Sequence, residues 1–384
     1  MSALQMNLGF YREAYGLDQW FKFSVAALVV TGFVAMSSAS IEYAEEATGN
    51  AFFYMQRYGV HFLLASGLAL LVYKIPMSLW EKSGGILLLL GFVLLALVLI
   101  PGIGREVNGS RRWLDFGIVT VQVSEVVKIL VVVYLSGYLV RRGDELQEKF
   151  VGFIKPMAVL FLVVLLLMQE PDFGATVVTT GTALALIFLG GVRLTQFLCV
   201  TGPAIAAAVL LIVTSEYRMR RITAYTDPWA DQFDSGYQLV QSLIAFGRGE
   251  WFGLGLGNSV QKLFYLPEAH TDFVFSIWAE EFGLIGVLLV LALFCVLISR
   301  IFSIGKHAHS VGLAFQGFVA YGIGIMIFGQ VFINVGVTSG LLPTKGLTLP
   351  FWSYGGSSLM ACFAMMAMVA RINNEALKAE GEEK

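Results

Sequence analysis

Apolar residues in this chain run in long, nearly unbroken stretches, without the one-sided or alternating patterns of elements that face water. A helix crossing a bilayer needs about 20 mostly apolar residues. Ten stretches fit that requirement, near 20–40, 57–75, 84–101, 122–140, 154–169, 174–191, 194–214, 273–299, 312–335 and 350–371. The pattern predicts an all-α polytopic integral membrane protein with about ten transmembrane helices and one long structured outer loop. Its expected organisation is a cytoplasmic segment 1–19, a single membrane domain 20–372 with a large periplasmic loop 215–271, and a cytoplasmic tail 373–384. Stretches 154–169 and 174–191 are short and separated by Pro171-Asp-Phe-Gly174. They are either full spans joined by a tight outer turn or helices that tilt or end early. The first stretch exceeds the roughly 7–15 residues of a signal-peptide core and reads as a retained anchor.

Composition sharpens this picture. Hydrophobic residues make up 57% of the 384 positions and charged ones 14%, where a soluble domain carries about a quarter charged. A net charge of −2 without a basic tail gives no sign of nucleic acid. Cys199, Cys295 and Cys362 lie inside apolar runs, and neither they nor the four histidines have zinc-ligand spacing. Lysine and arginine set orientation. With the N-terminus inside, 14 of the 25 basic residues fall inside, ten outside, and Lys128 within a span. Five of the outer ten sit in the long loop, where the rule is weakest, so both termini are expected to be cytoplasmic. Arg105, Arg111 and Arg112 oppose the trend in the outer loop 102–122. They either bind an anionic ligand or sit at headgroup level with Trp113 as an aromatic anchor.

Ionisable groups within spans mark candidate chemistry. Glu125 and Lys128, three apart on one helical face, are expected either to lock helices together or to line a polar cavity beside Arg111 and Arg112. Asp272, Ser276 and Glu280 recur at i, i+4 and i+8, a polar stripe that needs a cavity or a partner helix; Asp272 or Thr271 could instead simply cap the helix. The long loop is rich in aromatic residues and glycine, which argues against disorder. Within it, Gly253-Leu-Gly255-Leu-Gly257 reads as a flexible turn, since no strand precedes it in a βαβ unit. The last outer loop, from Thr338 to Ser358, holds Pro343, Pro350, Lys345 and several glycines. Irregular backbone at membrane depth survives only when buried in protein or lining a cavity.

Several of these segments carry a resemblance. Leu342-Pro-Thr-Lys-Gly346, Ser353-Tyr-Gly-Gly-Ser-Ser358, Arg111-Arg-Trp113, Ser124-Glu-Val-Val-Lys128, Glu170-Pro-Asp-Phe-Gly174, Tyr265-Leu-Pro-Glu-Ala-His-Thr-Asp-Phe273 and Ala279-Glu-Glu-Phe-Gly283 occur in this order. Together they resemble the SEDS family (shape, elongation, division and sporulation) over about residues 20–372. The wording Pro-Glu-Ala-His-Thr-Asp is more similar to the FtsW division branch than to the RodA elongation branch. One departure is Gln169-Glu170-Pro171-Asp172, where many members have Gln directly before Pro.

The resemblance implies a peptidoglycan glycosyltransferase that polymerises lipid II at the outer face of the bacterial inner membrane during septal synthesis. It puts the family's essential aspartate at Asp272, as general base. Arg111, Arg112, Glu125, Lys128, Asp172, Lys345 and Ser357 are the candidate substrate-binding residues. It implies a class B penicillin-binding protein transpeptidase and other divisome proteins as partners. No cofactor is required, although Mg²⁺ or Mn²⁺ could assist. The rival readings are a lipid II flippase, an elongation-type polymerase, and a scaffold that only recruits other proteins.

Overall fold

The computed structural model describes residues 18–382 except 108, 118–119, 215–224, 235 and 344–345. The chain folds as α1 (Gln19–Thr48), α2 (Phe53–Lys74), α3 (Met77–Leu99), β1 (Gly104–Val107), β2 (Ser110–Asp115), β3 (Thr120–Gln122), α4 (Val123–Glu148), α5 (Phe150–Gln169), α6 (Phe173–Leu189), α7 (Leu194–Val213), α8 (Tyr237–Gly249), α9 (Val274–Ser310), α10 (Ala314–Thr338) and α11 (Gly356–Glu382). Among the described residues, eight helices are long and apolar enough to cross a bilayer. The 17-residue α6 and the 20-residue α7 occupy the other two apolar stretches. All ten stretches expected to span are therefore helical.

The short pair resolves as two complete helices joined by residues 170–172. At 1.5 Å per residue, α5 is about 30 Å long and α6 about 26 Å. Asp172 makes the join tight: its Oδ1 accepts the Ala175 N–H at 3.1 Å, capping α6.

Burial follows position in the bundle. Residues 127–133 of α4 are buried on every side, because α3, α5, α6, α10 and α11 surround it. Leu63, Leu70 and Leu71 on α2 and Ile86 and Leu89 on α3 are exposed. Apolar helices exposed this way suit lipid as their solvent.

Three features depart from the sequence expectation. Loop 102–122 is a three-stranded antiparallel sheet in the order β1-β2-β3, an addition to an otherwise helical fold. Val107 pairs with Ser110 and Trp113 with Gln122, and Gly109 at φ 74° supplies the left-handed residue of the first turn. Second, α11 begins at Gly356, later than the apolar stretch suggests. Residues 350–355 form an irregular turn in which Phe351 takes φ 68°. The Tyr58 hydroxyl holds this turn by donating to the Phe351 carbonyl at 3.0 Å.

Third, α9 breaks at Gly283 (φ 63°, ψ −165°), and the glycine turn of the preceding loop fills the break. Leu254 and Gly255 donate to the carbonyls of Glu280 and Glu281 at 3.0 and 2.9 Å, while Leu284 and Ile285 donate to Glu250 and Trp251 at 2.9 and 3.2 Å. Backbone groups released by the break are thereby paired. Gly253, Gly255 and Gly257 all have positive φ. The turn is a brace with fixed partners, which a reading of its glycines as flexibility misses.

Candidate active site

Asp272 stands one residue before the N-cap of α9, where a sharp turn redirects the chain. Glu268 takes φ 56° there, and its carbonyl accepts the N–H groups of Thr271 and Phe273, each at 3.2 Å. The Thr271 hydroxyl donates to Glu268 Oε2 at 2.6 Å. From the other side, Asn334 on α10 donates through one amide nitrogen to the carbonyls of Asp272 and Leu347, at 2.8 and 2.6 Å. A single amide thus ties the α9 start to the last loop.

The Asp272 side chain approaches Gly346 through Oδ2. A Cβ at 346 would come 2.5 Å from Asp272 Oδ2, and one at Gly174 would come 3.0 Å from the Gly346 carbonyl. Glycine at both places lets the segment after α5, the last loop and Asp272 converge. Among the described residues, no hydrogen bond reaches the Asp272 carboxylate oxygens. Burial, reinforced by the nearby Glu268 and Asp172 and opposed by Arg112, pushes the carboxyl up to about 7. At neutral pH it is poised between its two forms.

Asp172 is anchored: Oδ2 accepts from the Ser124 hydroxyl at 2.8 Å and from Gln122 Nε2 at 3.0 Å. Its neighbour Glu170 is fully buried, and neither of its carboxylate oxygens has a partner. Burial first, then Asp172, push the Glu170 carboxyl up to about 8 against the pull of Arg112, which favours its protonated form at neutral pH. This is the carboxylate that the sequence marked as a departure.

The three arginines of the sheet separate by role. Arg105 pairs with Asp115 at 3.1 Å and Arg111 with Glu106 at 3.0 Å, both on the exposed surface, where such pairs contribute little. Arg112 turns the other way and donates to the carbonyls of Glu170 and Pro171 at 3.0 and 2.7 Å. It caps the C-terminal end of α5, a favourable place for a cation, and its charge reaches Asp272. Arg112 and Asp172 therefore share the site with Asp272, whereas the Arg111 side chain is held outside it.

Glu125, Lys128 and Ser357 make their polar contacts away from the Asp272 carboxylate. Lys128 and Glu125 close on each other at 2.8 Å and are buried inside the bundle, an arrangement that suits the reading of an ion pair locking the helices. Ser357 accepts the Gln122 N–H at 2.8 Å and donates to the Thr120 carbonyl at 2.9 Å, clamping β3 to α11. Lys345 falls outside the described residues.

The polar stripe on α9 finds its partner in the folded loop. Ser276 and Ser242 on α8 approach to 2.7 Å, and Ser242 donates to the Thr338 carbonyl at 2.6 Å. Glu280 accepts from the Ser259 hydroxyl and the Gln261 N–H, and pairs with Arg248 at 3.0 Å. Beside it, Glu281 pairs with the buried Lys262 at 3.0 Å and accepts from Ser38 on α1 at 2.7 Å. Sequence reasoning missed this second network and Asn334. Both carry a signal visible in the sequence, a polar side chain within or against an apolar helix.

An aromatic rim flanks the site. His270 is buried between Tyr43 and Tyr54, with ring centroids at 4.9 and 5.1 Å, and burial holds its imidazole below its ordinary value despite Glu268.

Residues 19–378 match the family model for the FtsW/RodA/SpoVE cell cycle proteins. The probable peptidoglycan glycosyltransferase FtsW of Hahella chejuensis is 49% identical over 383 residues, covering 100% of this chain and 96% of the relative. That of Pseudomonas fluorescens is 52% identical, covering 93% and 88%. Among solved structures, a chain from work on structural coordination of polymerization and crosslinking by a peptidoglycan synthase complex superposes with a TM-score of 0.76 at 29% identity, covering 94% of this chain and 99% of that one. The Thermus thermophilus rod shape determining protein RodA gives 0.70 at 28%, covering 94% and 97%. The chain belongs to the FtsW/RodA/SpoVE family of cell cycle proteins.

Proposed function

We infer that this chain is a peptidoglycan glycosyltransferase of the FtsW type, polymerising lipid II into glycan strands for septal wall synthesis. The observation that carries the chemistry is the half-buried Asp272 carboxylate, raised to about 7 by burial with the Arg112 charge opposing the rise. A general base works best with a pKa near the operating pH. In the proposed step, Asp272 takes the proton of the acceptor sugar hydroxyl. That oxygen attacks the anomeric carbon of the donor as the bond to the pyrophosphate oxygen breaks. The carbon inverts in one displacement, and the lipid pyrophosphate leaves with the bonding pair. Pyrophosphate needs countercharge and no proton, so one carboxylate suffices, unlike glycoside hydrolysis with its two. Arg112 supplies positive charge at the site, and Lys345 is the further cation proposed from sequence. This route draws base and countercharge from side chains and requires no resident metal.

A translocation route draws little support from α4, since Glu125 and Lys128 pair with each other and are buried from solvent. The relationship to a synthase complex that couples polymerization to crosslinking supports a class B penicillin-binding protein transpeptidase as partner, with other divisome proteins around it. Enrichment at the septum belongs to the same proposal. The test is glycan-strand synthesis from lipid II by the purified chain, with and without its transpeptidase. Strands made with the partner's transpeptidase site blocked are the expected result. Failure in both conditions overturns the assignment.

The charge bias supports placing Asp272 on the periplasmic side with both termini cytoplasmic. In a background lacking the three native cysteines, Ser110→Cys and Asp234→Cys should react with an impermeant thiol reagent in intact cells. Glu148→Cys and Lys306→Cys should stay protected. The opposite labelling reverses the orientation.

A further inference from the structure

The segment that fills the α9 break has an unusual surface. Between Gly249 and Tyr265, the exposed side chains are almost all large and apolar. Phe252 is 80% exposed and Trp251 64%, and Leu256, Leu263, Phe264 and Tyr265 follow. Glu250 is the one exposed charge in this segment, at its root beside Arg248, while Lys262 is buried on Glu281. A soluble loop of this composition would hide such residues, and here they point away from the protein.

Backbone hydrogen bonds fix the depth of this surface. The Trp251 carbonyl accepts the Ile285 N–H and the Glu250 carbonyl accepts that of Leu284. The base of the segment is therefore level with Leu284 and Ile285. From Phe282 to Ser299, α9 carries no charge, and Ile285, Leu288 and Leu289 are exposed on its lipid-facing side. Arg300, bound to Asp18 at the N-cap of α1, marks the opposite boundary. Fifteen residues separate Arg300 from Ile285, a rise of about 22 Å. That falls within the roughly 30 Å of bilayer hydrocarbon.

We propose that residues 249–265 form a re-entrant hairpin whose apolar edge inserts into the phospholipid acyl chains of the leaflet on the Asp272 side. Non-helical backbone at that depth must find its partners within the protein, and at Gly253, Leu254, Gly255 and Asn258 this one does so. Gly253 donates to the Gly249 carbonyl at 2.7 Å, Leu254 and Gly255 donate to α9, and Asn258 donates through its backbone N–H to Gly255 and through its amide to the Leu254 carbonyl at 2.9 Å. The aromatic residues suit the boundary between headgroups and acyl chains. The loop thus anchors the outer end of α9 to the lipid as well as to the bundle. This placement stands apart from the catalytic reading and survives its failure.

The experiment is nitroxide labelling of Phe252→Cys and Leu256→Cys in a cysteine-free background, reconstituted alone in phospholipid liposomes. Asp234→Cys on the same loop is the aqueous control. Collision with oxygen, which concentrates in hydrocarbon, is compared with collision with a water-soluble nickel chelate. A several-fold higher oxygen-to-nickel ratio at 252 and 256 than at 234 is expected. A ratio no greater than the control overturns the proposal and makes the edge a water-facing seat for a protein partner.

Discussion

Asp272→Asn is expected to lower glycan-strand synthesis by about 10²–10⁴-fold, the usual contribution of a positioned general base, while leaving the protein folded and inserted. The fold is insulated because the hydrogen bond that Asn334 makes is to the Asp272 backbone carbonyl, which the substitution keeps. Asparagine also matches the carboxylate in size, so the contact with Gly346 is retained. The wild-type rate carries its own signature. The base must be unprotonated, and the folded protein raises its carboxyl to about 7. Activity should therefore climb as pH rises through about 7 and then level off, while the residual rate of Asp272→Asn stays flat. Polymerisation by the purified variant across this range is the measurement. A wild-type rate from Asp272→Asn would remove the residue from the chemistry.

Gly283→Ala should be among the most destabilising single-methyl changes in the chain. Its backbone lies in a region open essentially to glycine, a cost of about 1–3 kcal/mol for other residues. The added Cβ would also sit 2.5 Å from the Gly253 nitrogen and 2.7 Å from the Gly249 carbonyl oxygen. Overpacking of that kind costs about 1–3 kcal/mol. The sum, about 2–6 kcal/mol, is a large share of a typical folding free energy of about 5–15 kcal/mol. Thermal unfolding in detergent should show it, with Gly312→Ala as the comparison. Gly312 also has positive φ, at 81°, yet nothing lies within 4 Å of its added Cβ. Equal losses from the two variants would mean that the brace contributes nothing to stability.

The spans were legible because hydrocarbon imposes a length and a composition that sequence displays directly. The turn at 170–172 was legible as a break, although its tightness depends on the Asp172 cap and on the Arg112 contacts with two carbonyls. The sheet was harder to see. Its strands have three to six residues, too short for an alternating pattern to stand out, and Asn108-Gly109 is a local turn signal between them. The site itself was half legible. Asp272, Asp172 and Arg112 could be named from residue type and motif order. That Arg111 and Arg112, adjacent in sequence, point to opposite sides follows from strand alternation once a strand is recognised. The partner of the α9 stripe was beyond reach, since nothing local says that a loop thirty residues upstream folds back into a broken helix.

The Glu125–Lys128 pair also bears on how α4 enters the membrane during synthesis. Ionisable side chains inside an inserting helix are costly, and Glu125 and Lys128, in the first two turns of α4, would add to that cost if each waited for a distant partner. Their spacing of three lets the helix neutralise itself as soon as it forms, at 2.8 Å within its own turn. Helices α10 and α11, which later surround it, are still untranslated at that moment. The ion pair thus makes α4 self-sufficient at the translocon, where order of synthesis, and not final packing, decides which segments can leave for lipid.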